Sequence, residues 1–476
     1  MFSKGEIVEL TITDYAFGGR GIAKVLIGDA YFVVFVDNSF PGQLVSAKID
    51  VKRKNHAEAK LIDVINRSPD EIVSNYQEIS GGPFIYVPPL LQEKVKETTT
   101  LEIFSRISGI KNLRENYDGF IASPAHYAYR NKMEYSFSCI EHCIYSGEEK
   151  DNAFALGFKR RGTWWKVENL DKPSGLFDDE WESKLINIRK FLEASHLPAW
   201  HPPKKEGFFR HLVVRKSFHS DLLLVNLVTS SVGLKQFDRA AFVAYLLNQL
   251  GKRIAGIQHT INDNVADRSK IENGSTKLLF GQAKIEETIN KLRFEISMES
   301  FFQTNPRCAE LLYNRAIDYL LDDPIDAKSV VLDLFCGTGT IAQLIAKRNA
   351  NIRIVGVDIV AEAIKDAERN AAINKLKNVQ FVALDVGKFL KENPDLEGKI
   401  AALILDPPRA GIAPKTLQKV INLGAKVLVY ISCNPSTQAR DASLLIDAGY
   451  ELKNYTLVDQ FPHTGHIEAI AKFIKK

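Results

Sequence analysis

The sequence is poor in the features that would take it out of the ordinary water-soluble class. It has only five cysteines in 476 residues; without a secretory leader, that usage points to a reducing compartment. The opening Met1-Phe2-Ser3-Lys4-Gly5-Glu6 has no apolar core, so no signal peptide is expected. No apolar run approaches the roughly 18 residues of a membrane span; Tyr31 to Val36 is a typical maximum. A cytoplasmic chain with no membrane partner is expected. Charge of one sign is scarce too. Against 58 acidic residues stand 62 basic ones, a net charge of +4, which permits a polyanionic partner without demanding one. Internal repeats and low-complexity tracts are absent. What is present is 45% hydrophobic and 25% charged residues, enough for a sizeable core, in a length that suits two to four domains.

Short apolar or alternating segments at Glu6–Ile12, Tyr31–Val36, Val45–Val51 and Glu58–Val64, broken by Phe17-Gly18-Gly19-Arg20-Gly21 and Pro41-Gly42, predict a small OB-like β-barrel over residues 1–66. The basic run Lys52-Arg53-Lys54 falls on one of its loops, where it is either a solvated face or a nucleic-acid contact. Arg67-Ser68-Pro69 reads as a linker, and Leu91–Ile107 as a helix. From 117 to 298 aromatic and basic residues interleave: Tyr127, Tyr129, Arg130 and Lys132, then Phe158, Lys159, Arg160, Arg161, Trp164 and Trp165. Such residues can stack on unpaired bases and hold phosphates, although aromatics in β structure are more often core. Beyond 329, apolar strands at Ser329–Asp333, Ile352–Val357, Val379–Leu384, Ala401–Leu405 and Lys426–Ile431 alternate with helices at Ile341–Arg348 and Ala361–Ile373. That alternation predicts a doubly wound, mostly parallel sheet of Rossmann type.

Four motifs sit where such a sheet binds ligands. Asp333-Leu334-Phe335-Cys336-Gly337-Thr338-Gly339-Thr340 is a strand-to-helix turn whose two glycines lack the Cβ that keeps backbone from a ligand. Asp358 follows at the end of the next strand, placed to accept from ribose hydroxyls. Ile341 and Ala342 stand where a third glycine of a dinucleotide fingerprint belongs, so a nucleoside without pyrophosphate, such as S-adenosylmethionine, fits better. Asp385, after the third strand, is placed for an adenine amino group. The second motif is Leu405-Asp406-Pro407-Pro408-Arg409-Ala410-Gly411; an arginine in place of an aromatic after Asp-Pro-Pro turns it away from exocyclic-amine chemistry. The third is Tyr430-Ile431-Ser432-Cys433-Asn434-Pro435. A lone cysteine is usually a small buried hydrophobe, but this one lies at the ligand edge, and a helix opening near Ser436 is expected to favour its thiolate. The fourth is Phe461-Pro462-His463-Thr464-Gly465-His466-Ile467-Glu468, whose Glu468 is a candidate base or an exposed acid. Cys139 and Cys143 flank His142 without a second ligand pair, which leaves no expected metal site.

Together these make a kit for methylating carbon 5 of uracil. That carbon is a poor nucleophile until a thiolate adds to carbon 6. Once it is methylated, a base must remove its proton before the thiolate can leave. The target nucleotide must be flipped out of any stack.

In family order, these motifs and Ser300-Phe301-Phe302-Gln303-Thr304-Asn305 resemble the RNA (uracil-5-)-methyltransferases, most closely the 23S rRNA members that carry a TRAM domain. The resemblance covers nearly the whole chain. It implies an OB-like TRAM domain at 1–66, a mixed α+β RNA-binding domain at 67–298 and a class I methyltransferase domain at 299–476, with a helix at 91–116 packing on the last. It makes Cys433 the nucleophile, Glu468 the base and Asp406 a uracil contact. Gln303, Asp333, Phe335, Gly337, Gly339, Asp358, Asp385 and Asp406 would hold S-adenosylmethionine. Arg130, Lys132 and Phe301 would meet RNA. The TRAM domain favours 23S rRNA over a tRNA T-loop uridine as substrate, with the protein acting as a monomer. Many relatives bind an iron–sulfur cluster through a C-x5-C-x2-C run and a later cysteine; Ser74, Ser80 and Pro83 stand there instead, so no cluster is expected. A non-catalytic RNA-binding or ribosome-assembly factor would be expected to have lost the thiol or the acids, and both are retained.

Overall fold

The computed structural model describes residues 2–144, 146–264, 274–322, 324–326 and 329–476. The chain forms two compact units: Met1–Gln92, His126–Glu287 and Ile296–Glu299 make the first, Glu93–Ala125, Thr288–Glu295 and Ser300–Lys476 the second.

The first unit begins with six strands, Ile7–Thr11, Asp14–Ala16, Arg20–Ile27, Ala30–Asp37, Leu44–Lys52 and His56–Asn66. The first pairs with the fifth and the second with the third. Ile12 and Thr13 lie between those two strands, so the sheet closes on itself as the OB-like pattern predicts. Val34 and Val36, Val45, Ala47 and Ile49, and Ala57, Ala59 and Leu61 fill the core, each set at the period of two that a one-faced strand imposes. The sequence expectation missed Arg20–Ile27 by reading Arg20 and Gly21 as turn. Gly21 is glycine for packing: a Cβ there would lie 2.6 Å from Ile12 and 2.2 Å from Ser39. Arg67 is no free linker either, being paired with Glu71 and Glu78 at 2.8 Å and lying 3.8 Å over the Tyr86 ring.

The rest of this unit carries a nine-stranded sheet whose strands Phe209–Lys216 and Leu223–Thr229 are almost wholly buried. Its aromatics are largely core: Tyr129 is buried and Phe158 packs on Tyr135, whereas Trp164 is exposed.

The second unit holds an eight-stranded sheet in the order Val379–Ala383, Arg353–Asp358, Val330–Leu334, Ile400–Leu405, Val427–Ser432, Glu468–Lys475, Tyr450–Val458, Tyr117–Ile121. Its first five strands are parallel. Val427–Ile431 and Leu403–Leu405 are buried throughout, as strands covered on both faces must be. Glu468–Lys475 runs antiparallel to both neighbours. Order reverses at Val330–Leu334: the chain moves outward on one side through Arg353–Asp358 to Val379–Ala383, then returns to the other side at Ile400–Leu405, and ligands bind at such a switch point. The helix near the start runs Pro89–Ser108 rather than to 116; Gly109, at φ +77°, follows it. Its Phe104 ring lies 4.3 Å from Tyr455.

Candidate active site

The turn after Val330–Leu334 is held in unusual backbone. Phe335, a non-glycine, sits at φ +67°, and Gly337 and Gly339 at +53° and +71°. Left-handed residues without a glycine's freedom cost energy and cluster at functional sites. The N–H groups of Phe335 and Cys336 both donate to the Val357 carbonyl, at 2.9 and 3.1 Å. The two glycines differ in purpose. A Cβ on Gly339 would lie 2.4 Å from Phe381, so its absence lets helix and sheet pack. A Cβ on Gly337 would meet only Phe301, at 3.9 Å, so Gly337 is the one that leaves room for a ligand.

Carboxylates frame this opening. Asp358 accepts from Gly337 N at 2.9 Å and Val360 N at 2.8 Å, which ties the turn to the next strand end. Ile359 and Val360 beside it are 69% and 49% exposed, an apolar shelf that could flank a nucleoside base. The sequence expectation passed over them, although two apolar residues just past a strand-end acid were the available signal. Asp385 caps the helix Val386–Glu392 by accepting from Lys388 N at 2.9 Å. Asp333 is fully buried; one oxygen accepts from Ala342 N at 2.9 Å and the other has no partner among the described residues. Burial and the nearby Asp406 raise its pKa to about 8. An orphaned buried acceptor, an open glycine and an apolar shelf together fit a small polar cofactor with a nucleoside end.

The opposite side of the switch point is drier. Ser432 pairs with Ala469 across the antiparallel ladder, and their neighbours Cys433 and Glu468 come close enough for Glu468 to act on the thiol electrostatically. Asp406, at the end of Ile400–Leu405, donates its N–H to Leu334 O at 3.3 Å, which brings it beside the cofactor turn. The Arg409 carbonyl accepts from Asn434 Nδ2 at 3.1 Å and Thr437 Oγ1 at 3.3 Å, stitching the Asp-Pro-Pro-Arg turn to the Ser-Cys-Asn-Pro turn. Glu468 is 3% exposed, not the exposed acid of the alternative reading. Burial, then Asp406, pushes it well above the usual carboxylate range. Burial alone raises Asp406 to about 7.

The expectation of a favoured thiolate at Cys433 is corrected. The helix opens at Pro435, but burial, Glu468 and Asp406 push the thiol up to about 11 against the opposing pull of Arg409. Desolvation and two acids outweigh a helix terminus, whose effect is at most a kcal/mol or two.

Other residues around the site were not legible in the sequence. Gln460 Nε2 donates to Gln303 Oε1 at 3.4 Å and to Asn305 O at 3.1 Å, and Asn305 Nδ2 returns a bond to Gln460 O at 3.2 Å. Lys96, on the early helix, reaches Asp459 Oδ1 at 2.7 Å and the Phe461 carbonyl at 3.0 Å, with both charged side chains about 3% exposed or less. That buried pair anchors the loop leading into Glu468. Nothing local marks Lys96, because its partner lies 363 residues away. Phe301 is 67% exposed beside Gly337. Arg130 and Lys132 belong to the first unit, where Arg130 donates to Gly81 O at 3.2 Å and Lys132 pairs with Glu134 at 3.0 Å.

A sequence profile of the tRNA (uracil-5-)-methyltransferase family matches residues 247–476, and one of the TRAM domain matches residues 2–62. An uncharacterized RNA methyltransferase of Clostridium tetani is 32% identical over 99% of this chain and 98% of its own length. One from Clostridium acetobutylicum is 33% identical over 100% and 99%. The chain belongs to the RNA (uracil-5-)-methyltransferase family. Among solved structures, the Pyrococcus abyssi tRNA (uracil-54, C5)-methyltransferase in complex with S-adenosyl-L-homocysteine shares the fold, with a TM-score of 0.69 at 23% identity over 98% of this chain and 100% of that one. In this methyltransferase the family motifs all converge on the second unit's sheet edge.

Proposed function

We propose that this chain methylates carbon 5 of one uridine in 23S rRNA through a covalent adduct on Cys433. The observation that carries the chemistry is the pairing of Ser432 with Ala469, which brings their neighbours Cys433 and Glu468 close to one another and to Asp406. S-adenosylmethionine, seated on Gly337, Asp358 and Asp385 with Gln303, Asp333 and Phe335 nearby, supplies an electrophilic methyl group when bound.

The chain's own residues do the rest. In the free protein Cys433 is a neutral thiol, because its burial beside Glu468 and Asp406 disfavours the thiolate. Its ionisation is therefore coupled to arrival of the flipped base: the thiol proton is released to solvent, which the half-buried Cys433 still reaches, as Sγ bonds to carbon 6 and ring electrons shift toward carbon 5. Asp406, poised near neutrality, faces the N3 and oxygen edge of the ring. After carbon 5 has gained its methyl, Glu468 in its ionised form takes the proton from that carbon, the ring double bond re-forms, and Cys433 leaves as a thiolate that regains its proton from solvent. A raised pKa suits Glu468 to hold the proton it takes.

The TRAM match supports ribosomal RNA. A tRNA T-loop uridine is the second reading, favoured by the Pyrococcus enzyme, whose likeness spans the barrel as well. Mapping 5-methyluridine in a deletion strain decides: one lost mark in 23S rRNA is expected. Loss in tRNA alone moves the substrate, and loss in neither pool refutes the uridine assignment. The protein is further read as monomeric, cytoplasmic and without a cluster. Ser74 and Ser80 line a cavity of about 380 Å3 together with Arg67, Glu78 and Arg161, a donor set of hydroxyls and charges that does not suit iron and sulfide. Acid-labile sulfide in protein purified without oxygen would overturn that point. Among the described residues no helix is long and apolar enough to cross a membrane.

A further inference from the structure

Gln460 lies two residues past strand Tyr450–Val458 and is completely buried, where an apolar side chain would be the stable choice. Its amide is only half satisfied. Nε2 donates to the Asn305 carbonyl at 3.1 Å and to Gln303 Oε1 at 3.4 Å, while Oε1 has no partner among the described residues. A buried acceptor left unpaired destabilises a fold, so stability alone does not account for a glutamine here. The network fixes which way both amides point. A backbone carbonyl can only accept, so the atom facing Asn305 O is the Gln460 nitrogen. The atom of Gln303 facing that same nitrogen is then its oxygen. Gln303 Nε2 turns the other way and donates to the Tyr313 hydroxyl, a bond that opposes the upward push of burial on that phenol. The frame around this pair is stiff. Asn305 caps the helix Pro306–Leu321 by accepting from Cys308 N at 3.2 Å, and its Nδ2 donates to Ser123 Oγ at 3.0 Å and Gln460 O at 3.2 Å. Tyr313, on the same helix, is 6% exposed. Asp406, Glu468 and Asp333 all act on its hydroxyl electrostatically. Among Gln303, Asn305, Tyr313 and Gln460, only Gln303 is half-buried, so it is the member with surface left for a ligand.

The layout says which part of a ligand that surface meets. The groups placed for adenosine, Asp358, Asp385 and the Ile359–Val360 shelf, all follow strands Arg353–Asp358 and Val379–Ala383, on one side of the switch point. Gln303 is tied through Tyr313 and Gln460 to the side that carries Asp406 and Glu468. The end of S-adenosylmethionine left for it is the methionine chain, whose ammonium donates and whose carboxylate accepts, the complement of an amide. We infer that Gln460 and Tyr313 are positioning residues for the cofactor, which together hold the Gln303 amide in one orientation and leave one N–H and one oxygen lone pair for the methionine chain. A free glutamine side chain samples several rotamers and both amide orientations, and a ligand that needs one of them must freeze the rest. Setting the amide in advance moves that cost from binding to folding, and the unpaired Gln460 oxygen is its trace. The role assumes that Gln303 lines the cofactor site, and adds what aims it.

The test is calorimetric titration of the full-length protein with two ligands. One is S-adenosylhomocysteine; the other is 5′-methylthioadenosine, which keeps the nucleoside and the sulfur but lacks the amino-acid chain. Gln460→Met is expected to weaken S-adenosylhomocysteine about 10-fold, the scale of one hydrogen bond, and to leave methylthioadenosine unchanged. Its denaturant midpoint should hold or rise, because the substitution removes an unpaired buried oxygen. Tyr313→Phe removes the acceptor for Gln303 Nε2 and should shift the ratio of the two affinities in the same direction by about 3-fold. Equal weakening of both ligands, or a midpoint that falls together with affinity, makes Gln460 a structural residue and overturns the proposal. If Gln303→Ala weakens S-adenosylhomocysteine and Gln460→Met does not, Gln303 needs no aiming and the proposal fails by itself. If neither variant alters binding, the placing of Gln303 in the cofactor site fails first, and its aiming with it.

Discussion

The two sides of the switch point in the C-terminal sheet handle carboxylates in opposite ways. On the cofactor side Asp358 and Asp385 lie at strand ends and accept backbone N–H bonds, two for Asp358 and one for Asp385, and only the buried Asp333 there resembles the other group, with its pKa raised to about 8. On the chemical side Asp406 and Glu468 share a dry corner with Cys433, and all three are pushed toward their neutral forms. A carboxylate that binds is made by local hydrogen bonding. One that moves protons is made by burial, which raises pKa and matches the group to its task.

This contrast can be broken by five measurements. Cys433→Ala should lower turnover roughly 10^4-fold or more and abolish the denaturation-resistant adduct with 5-fluorouridine RNA. Glu468→Gln should cost roughly 10^2–10^4-fold yet still form an adduct with ordinary substrate RNA. An adduct that persists in Cys433→Ala would sink the nucleophile assignment. Lys96→Met leaves Asp459 buried and unpaired, at a cost of roughly 3–5 kcal/mol, read as a lowered denaturant midpoint. An unchanged midpoint would show that the loop before Glu468 does not depend on that pair. Asp358→Ala should raise KM for S-adenosylmethionine about 10- to 100-fold, the value of a hydrogen bond to a charged group, with kcat little changed. A fall in kcat alone would erase the division between the two sides. The mildest effect is on reagent chemistry. With its pKa near 11, roughly one Cys433 thiol in 10^4 is ionised at pH 7. Iodoacetamide labelling of Cys433 in the free protein should therefore rise about tenfold per pH unit up to pH 10. A plateau below pH 8 would mean that the helix terminus wins after all.

Legibility followed the same divide. Ile352–Val357 and Ala401–Leu405 were read to within a residue of Arg353–Asp358 and Ile400–Leu405, because strands buried on both faces are written as unbroken apolar runs. Arg20–Ile27 was missed because its glycine answers to Ile12 and Ser39, which only the folded barrel brings against it. The antiparallel pair Tyr450–Val458 and Glu468–Lys475 went unread, since Lys453, Asn454 and Lys472 interrupt its pattern. Yet the second of these strands, by pairing Ala469 with Ser432, brings Glu468 near Cys433.

The residues by themselves determined the family, because the motifs around Gly337, Asp406, Cys433 and Glu468 that carry the resemblance are short and contiguous, and local geometry follows from local sequence. Only the tertiary structure decided the protonation states, the division of labour between Gly337 and Gly339, and the reach of Lys96 to Asp459. Burial, close packing and charge pairing depend on which distant segments meet, and no window of sequence contains both partners.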